Sequence, residues 1–267
     1  MRVYEVGDGP AEVAIVVAIH GDEPCGVRAV ERLIAEEPSV ERSVKFVVAN
    51  EEALEADQRY LDEDLNRAFP GDPDADTHEG RLASRVAAEL TGCTTLSIHS
   101  TQSFAEPFAV MQSLDEVARA VCPHLPVEFL VQTDEFAEGR LVGHPHTIEV
   151  ESGLQGTDEA AENAYWLSRA FLAATGALSP PTSDDVVDVG GRQDVDVYRL
   201  TEELAKPDAD SYEVLVRNFE RVESGETWAR VDGNPIRAEE PFVPVLVSAR
   251  GYENQFGYAA THVGSVN

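Results

Sequence analysis

Residues 1–180 are predicted to form a three-layer α/β domain around a largely parallel sheet, followed by a small β-rich domain over residues 181–267. Three observations predict this. Strand and helix signals alternate through the first two thirds of the chain. The strongest strand, Ala11 to Ile19, is a nearly continuous apolar run, as strands buried on both faces are. After Pro181 the helical periodicity stops, and short strand-like segments punctuated by glycine take over.

The elements follow in order. Met1 to Gly9 alternates like a strand and lacks the apolar stretch of a secretion signal. Pro24 opens a helix that continues to about Glu37, since proline is well tolerated in a first turn. Val44 to Ala49 is a second buried strand, and Glu51 to Pro73, charged and without a clear period, is expected to be mostly loop. His78 to Leu90 is helical, with Leu82, Val86 and Leu90 on one stripe. Thr94 to Ile98 is a third strand, Leu114 to Cys122 a helix, and Val127 to Gln132 and His146 to Val150 two more strands. Thr157 to Thr175 is a long helix with Ala160, Ala164, Leu167 and Phe171 on its apolar face. Gly176 stops it and Pro180-Pro181 follows. Beyond that, Val186 to Leu200, Tyr212 to Val216, Glu226 to Val231 and Val243 to Ser248 read as strands.

Composition narrows the function. A hydrophobic share of 43% with 26% charged residues is ordinary for a globular protein, and no run approaches the length of a membrane span. Asp and Glu number 50 against 20 Lys and Arg, a net charge of −30, which argues against a nucleic-acid partner. Among those 20 cations only Lys45 and Lys206 are lysine. Acid excess with so little lysine predicts adaptation to concentrated salt, where the Debye length shrinks to about 3 Å and carboxylate self-repulsion is screened. The three cysteines, Cys25, Cys93 and Cys122, form no closely spaced pair and cannot all be bridged within one chain. Reduced thiols and a cytoplasmic location are expected.

Polar clusters are expected just beyond the strand ends, where an open parallel sheet lines its ligand crevice. His20 and Glu23 flank Gly21-Asp22 in a tight turn after the first buried strand. Imidazole and carboxylate are good zinc ligands, and a catalytic zinc takes three protein ligands while leaving a place for water. His99, after the third strand, is the natural third. His144 and His146 form a competing pair but follow no strong strand. Glu149 lies between Ile148 and Val150, where a carboxylate costs desolvation unless it has a partner or a task. As a general base it would act on a metal-activated water. Glu151 shares its face by strand alternation, so the pattern leaves both open. Arg59, Asn66 and Arg67 lie in an acidic stretch, where an ion-paired surface loop competes with recognition of a carboxylate by the planar arginine fork.

Four motifs in order, His20-Gly21-Asp22-Glu23, Asp64-Leu65-Asn66-Arg67-Ala68-Phe69, Ile98-His99-Ser100-Thr101 and Ile148-Glu149-Val150, resemble the succinylglutamate desuccinylase/aspartoacylase family, whose catalytic fold is similar to that of zinc carboxypeptidases. The stretches Asn218 to Glu226, Pro244 to Ser248 and Gly251-Tyr252-Glu253 resemble the family's β domain. The resemblance implies one zinc per chain, held by His20, Glu23 and His99, and Glu149 rather than Glu151 as the base. It implies Arg59 near the scissile carbonyl, Asn66 and Arg67 on a substrate carboxylate, and Tyr252 reaching the substrate from the C-terminal domain. The activity implied is hydrolysis of a small anionic N-acyl amino acid, such as N-succinylglutamate or N-acetylaspartate. The residues after His99 are diagnostic of neither substrate, and the chain is short for an aspartoacylase. Two rivals stand beside it: a zinc carboxypeptidase acting on peptides, and a carboxylate-binding protein without turnover. No membrane partner is expected, and a homo-oligomer stays open.

Overall fold

In the computed structural model, which describes residues 1–178 and 194–267, most of the strands join one ten-stranded sheet. The first half of the chain contains β1 (Arg2–Val6), β2 (Val13–Val17), α1 (Cys25–Ala35), β3 (Val44–Val48), α2 (Glu51–Glu55), α3 (His78–Glu89), β4 (Thr94–Thr101), β5 (Phe108–Met111), α4 (Glu116–Val121) and β6 (Phe129–Gln132). It continues with β7 (Thr147–Leu154), α5 (Asp158–Ala174), β8 (Val195–Ala205), β9 (Tyr212–Val214), β10 (Thr227–Val231), β11 (Asn234–Arg237), β12 (Val243–Val245) and β13 (Gln255–Val266). The large sheet runs β1-β3-β2-β4-β7-β5-β6-β8-β13-β12 and a small antiparallel sheet runs β11-β10-β9.

The order explains the apolar run. β2 pairs in parallel with β3 on one side and β4 on the other, and all five of its residues are buried. Successive side chains face opposite ways. Val13, Ile15 and Val17 join the core under α1 and α5, whereas Ala14 and Val16 pack with Leu82 and Val86 of α3 and with Leu90 just after it. Helices therefore cover both faces, the three-layer arrangement expected. The link from β2 through α1 leads to β3, and the link from β3 through α3 returns to β4 on the other side of β2. The strand order reverses between β2 and β4, and a crevice opens beyond their carboxyl ends.

Several elements differ from the periodicity reading. Residues 51–55 form α2, capped by the Asn50 side chain, which accepts from the Ala53 amide at 3.3 Å. The third strand does not end at Ile98: β4 runs on to Thr101, so His99 lies within it. Likewise β7 runs to Leu154 and contains both Glu149 and Glu151. β5 and the 12-residue β13 carry no clean alternation in sequence; β13 bulges repeatedly against β8. Its Gly257 has φ +148, and a Cβ there would meet the Leu246 carbonyl oxygen at 2.5 Å, so only glycine fits. The strand expected over Val186 to Leu200 is described from Val195 onward. Pro180-Pro181, Gly190-Gly191 and the boundary placed after residue 180 lie outside the described residues. β8, β12 and β13 extend the large sheet, while β9, β10 and β11 make up the small one. No helix among the described residues is long and apolar enough to cross a membrane.

Candidate metal centre and substrate pocket

The turn after β2 is set by backbone contacts. Ala18 sits at φ 54, a left-handed conformation rare for a residue with a side chain. Its carbonyl accepts the Asn50 amide and Val17's accepts that of Ala49, each at 2.9 Å, so β3 holds the turn in place. Gly21 passes so near α2 that a Cβ would meet the Ala53 carbonyl carbon at 2.2 Å. The turn leaves His20 and Glu23 facing inward, 3% and 4% exposed.

Three buried groups meet there. His20 Nδ1 is 2.8 Å from Glu23 Oε1, and His99 Nδ1 is 3.1 Å from Glu23 Oε2. One ligand atom from each of His20, Glu23 and His99 lies within 4.8 Å of the others, close enough for a single ion. The far ring nitrogens test the fit. His20 Nε2 lies 3.0 Å from Asp64 Oδ1, and His99 Nε2 lies 3.2 Å from Ser97 Oγ. A partner that accepts the Nε2 proton leaves the Nδ1 lone pair free toward a metal. Two imidazoles and a carboxylate so arranged suit zinc. The Ser100 amide and Arg59 Nη1 also donate to Glu23, each at 3.1 Å.

Electrostatics follow from burial and pairing. Burial opposes ionisation of Glu23, but His20 and His99 hold its carboxyl well below the usual range. Burial likewise opposes charge on His99, yet its hydrogen bond to Glu23 and the charges of Glu23, Glu149 and Glu151 raise it to about 9. Glu151 goes the other way for a carboxylate. Burial first, then the charges of Glu23 and Glu149, push it up to about 7 against the pull of His99.

The loop beyond α2 supplies Arg59, Asn66 and Arg67 to the same pocket. Arg59 divides its fork between Glu23 and Asp64, 3.1 and 3.3 Å away. A 3-10 turn over Leu65–Arg67 begins at Asp64, whose Oδ1 accepts the Asn66 amide at 2.8 Å. Asn66 is 6% exposed; its Nδ2 donates to Glu149 Oε1 at 3.1 Å and its Oδ1 accepts the Leu141 amide at 2.8 Å. Glu149 Oε1 is also 3.6 Å from His99 Nε2. The loop is tied down by Glu79 in the first turn of α3. Its Oε1 accepts from Asn50 Nδ2 and the Leu61 amide, and its Oε2 from the Asp62 and Glu63 amides, between 2.7 and 3.3 Å.

One pocket is lined by all eight sequence-nominated residues: His20, Glu23, Arg59, Asn66, Arg67, His99, Glu149 and Tyr252. Tyr252 comes from the segment before β13, which the Lys206 Nζ grips through the carbonyls of Ala249 and Tyr252. His144 and His146 stand apart, in a separate cavity beside Asp115. Two charged lining residues, Glu151 and Arg140, are not among those eight. Glu151 was set aside for Glu149, although both face the pocket. Arg140 was missed; its Nη2 donates to the Tyr258 hydroxyl and its side chain lines the wall near Glu149. Arg140 lies in an irregular stretch with no local pattern, and its only sequence signal is an arginine nine positions before an in-strand glutamate.

Comparison with known proteins finds a partial family match and a likeness in fold. Residues 10–104 match the family model for the succinylglutamate desuccinylase/aspartoacylase catalytic domain. None of the curated proteins matches the chain by sequence. Among solved structures, the product-bound ectoine utilization protein EutE (DoeB) from Ruegeria pomeroyi is 20% identical, with 99% of this chain and 88% of that one covered and a TM-score of 0.76. A succinylglutamate desuccinylase/aspartoacylase from Rhodobacter sphaeroides is 18% identical, with 98% and 89% covered and a TM-score of 0.75. Murine aminoacylase 3 is 20% identical, with 97% of each chain covered and a TM-score of 0.71. The family model spans the first three of the four motifs, and the likeness in fold extends over nearly the whole chain.

Proposed function

We propose that this chain is a zinc-dependent hydrolase that cleaves the amide bond of a small, carboxylate-bearing N-acyl amino acid. One observation carries the reading: a metal-competent trio, a neighbouring carboxylate and an asparagine-arginine pair open onto a single pocket. His20, Glu23 and His99 would hold the ion, which when bound supplies Lewis acidity toward the amide carbonyl and acidifies water.

The chain's own groups do the rest. Glu149, held by Asn66, takes the proton from the attacking water and returns it to the leaving nitrogen. Arg59, fixed at the edge of the trio by Glu23 and Asp64, donates to the oxygen on which charge develops. Asn66 and Arg67 take a substrate carboxylate, and Arg140 lines the same pocket. The segment carrying Leu246, Ser248, Gly251 and Tyr252 bounds the pocket, which favours a small substrate over an extended peptide.

The test is amine release from a panel of N-acyl amino acids, N-succinylglutamate and N-acetylaspartate among them, with zinc and molar potassium chloride. Hydrolysis of panel members that chelation abolishes and zinc restores supports the reading. Turnover of peptides alone would move the enzyme to the carboxypeptidases, and tight binding with no product would make it a carboxylate binder.

A further inference from the structure

Asn218 has no task in the proposed reaction, yet its side chain joins two pieces of the pocket. It lies between β9 and β10, more than 60 residues beyond Glu149, and is only 3% exposed. Its Nδ2 donates to the carbonyls of Ser103 and Val247, at 2.9 and 3.0 Å, and its Oδ1 accepts the Val247 amide at 2.8 Å. Both donors and the acceptor oxygen are thus spent on backbone. The stretches they hold are pocket wall: Thr101 and Gln102 precede Ser103, and Leu246 and Ser248 flank Val247.

The backbone around these bonds is strained. β12 ends at Val245, so Val247, 2% exposed, has left the sheet, and its N–H and C=O need other partners. Asn218 supplies both. Leu246, just before it, sits at φ 55, and Phe219, just after Asn218, at φ 66. Left-handed backbone at residues with side chains persists only where the surroundings over-determine it. Phe219 is fixed by its amide on the Pro244 carbonyl, at 2.9 Å, and by its ring, stacked on Phe129 with centroids 4.3 Å apart. Asn218 therefore stands on a rigid base and holds a strained wall.

We propose that Asn218 is a positioning residue: it clamps the loop after β4 to the segment after β12 and so fixes the width of the pocket on the side left to the acyl group. This rests on the deacylase reading above, in which Asn66 and Arg67 take the substrate carboxylate. A wall of fixed shape sorts acyl chains by fit, one methylene being worth about 10–200-fold in kcat/KM. A loosened wall lowers that ratio and leaves the amino-acid half of the site as it was.

The experiment uses the zinc-loaded full chain in molar potassium chloride, as wild type, Asn218→Ala and Asn218→Asp. The aspartate keeps an acceptor for the Val247 amide and removes both donors. Substrates are N-formyl, N-acetyl, N-propionyl and N-succinyl aspartate and glutamate, read as kcat/KM, with the free amino acids read as inhibitors. Hydrogen exchange without ligand follows residues 101–104 and 246–252. In the variants both stretches should exchange faster together. Discrimination between the best acyl group and the next in size should fall by about tenfold, with zinc content and inhibition constants unchanged. Equal losses on every acyl group would make Asn218 purely structural and overturn the proposal. Unchanged exchange in the two stretches, or failure of both variants to fold, would overturn it too. Absence of turnover in the wild type would sink the deacylase reading instead; the acyl series is then read as dissociation constants by calorimetry, and exchange still decides whether the clamp exists.

Discussion

His20 and Asp64, 44 residues apart, meet at 3.0 Å between Nε2 and Oδ1, so the loop that carries Arg59, Asn66 and Arg67 also orients a candidate metal ligand. Asp64 serves three partners at once: the ring of His20, the fork of Arg59 and the amide of Asn66. Partners of this kind typically contribute about 10–100-fold in metal affinity. Asp64→Asn should weaken zinc binding within that range, measured by competition with a chromophoric chelator. An unchanged affinity would reduce the contact to a structural one.

Glu149→Gln should retain stoichiometric zinc, by metal analysis, and lose turnover by roughly 10²–10⁴-fold on whichever acyl amino acid the wild type cleaves. Rates close to wild type would take Glu149 out of proton transfer.

Arg67 points to a loss that depends on substrate charge. Its Nη1 donates to the Asn66 backbone carbonyl at 2.7 Å, which fixes the guanidinium against the turn. Arg67→Ala should raise KM for carboxylate-bearing substrates by at least about tenfold, as loss of one charge-assisted contact costs 1.5–3 kcal/mol or so. The same rise with the corresponding amides would mean that Arg67 supports the loop and does not read the anion.

Glu79 makes a prediction about pH. It is fully buried, and although burial opposes its charge, the Leu61, Asp62 and Glu63 amides and Asn50 lower its pKa below the ordinary value. A carboxylate whose pKa is depressed by folding adds stability above its unfolded pKa, about 4.3, and loses it as pH falls through the folded value. Glu79→Gln should cost about 2 kcal/mol at pH 7, since an amide nitrogen would then face backbone N–H donors. Denaturant melts of the two proteins should converge as the pH is lowered from 5 toward 3. A constant difference across that range would mean that shape, not charge, is what Glu79 contributes.

Salt should matter to the whole molecule. With a net charge of −30 after all 20 cations are counted, self-repulsion is strong in dilute buffer. The melting temperature should rise between dilute buffer and molar potassium chloride. No rise would leave the protein acidic without being salt-adapted.

The residues themselves determined what depends on near neighbours. A nearly continuous apolar run made β2 a central strand, stripes at helical spacing marked α3 and α5, and a histidine and a glutamate three apart in a glycine turn marked a candidate metal site. Such features are local, because a helix or a buried strand repeats over a few residues. The tertiary structure decided what depends on register and on chain returning from far away. It placed His99 and Glu151 inside strands and put Glu149 against Asn66, leaving an oxygen of Glu151 without a partner. It also brought Arg140 from a patternless stretch to the wall and made Glu79 the anchor of a loop that composition alone marks only as charged. Alternation assigns Glu149 and Glu151 to the same face; only packing against β4 and the Asn66 loop separates them, because hydrogen bonds are made to whatever the fold brings near.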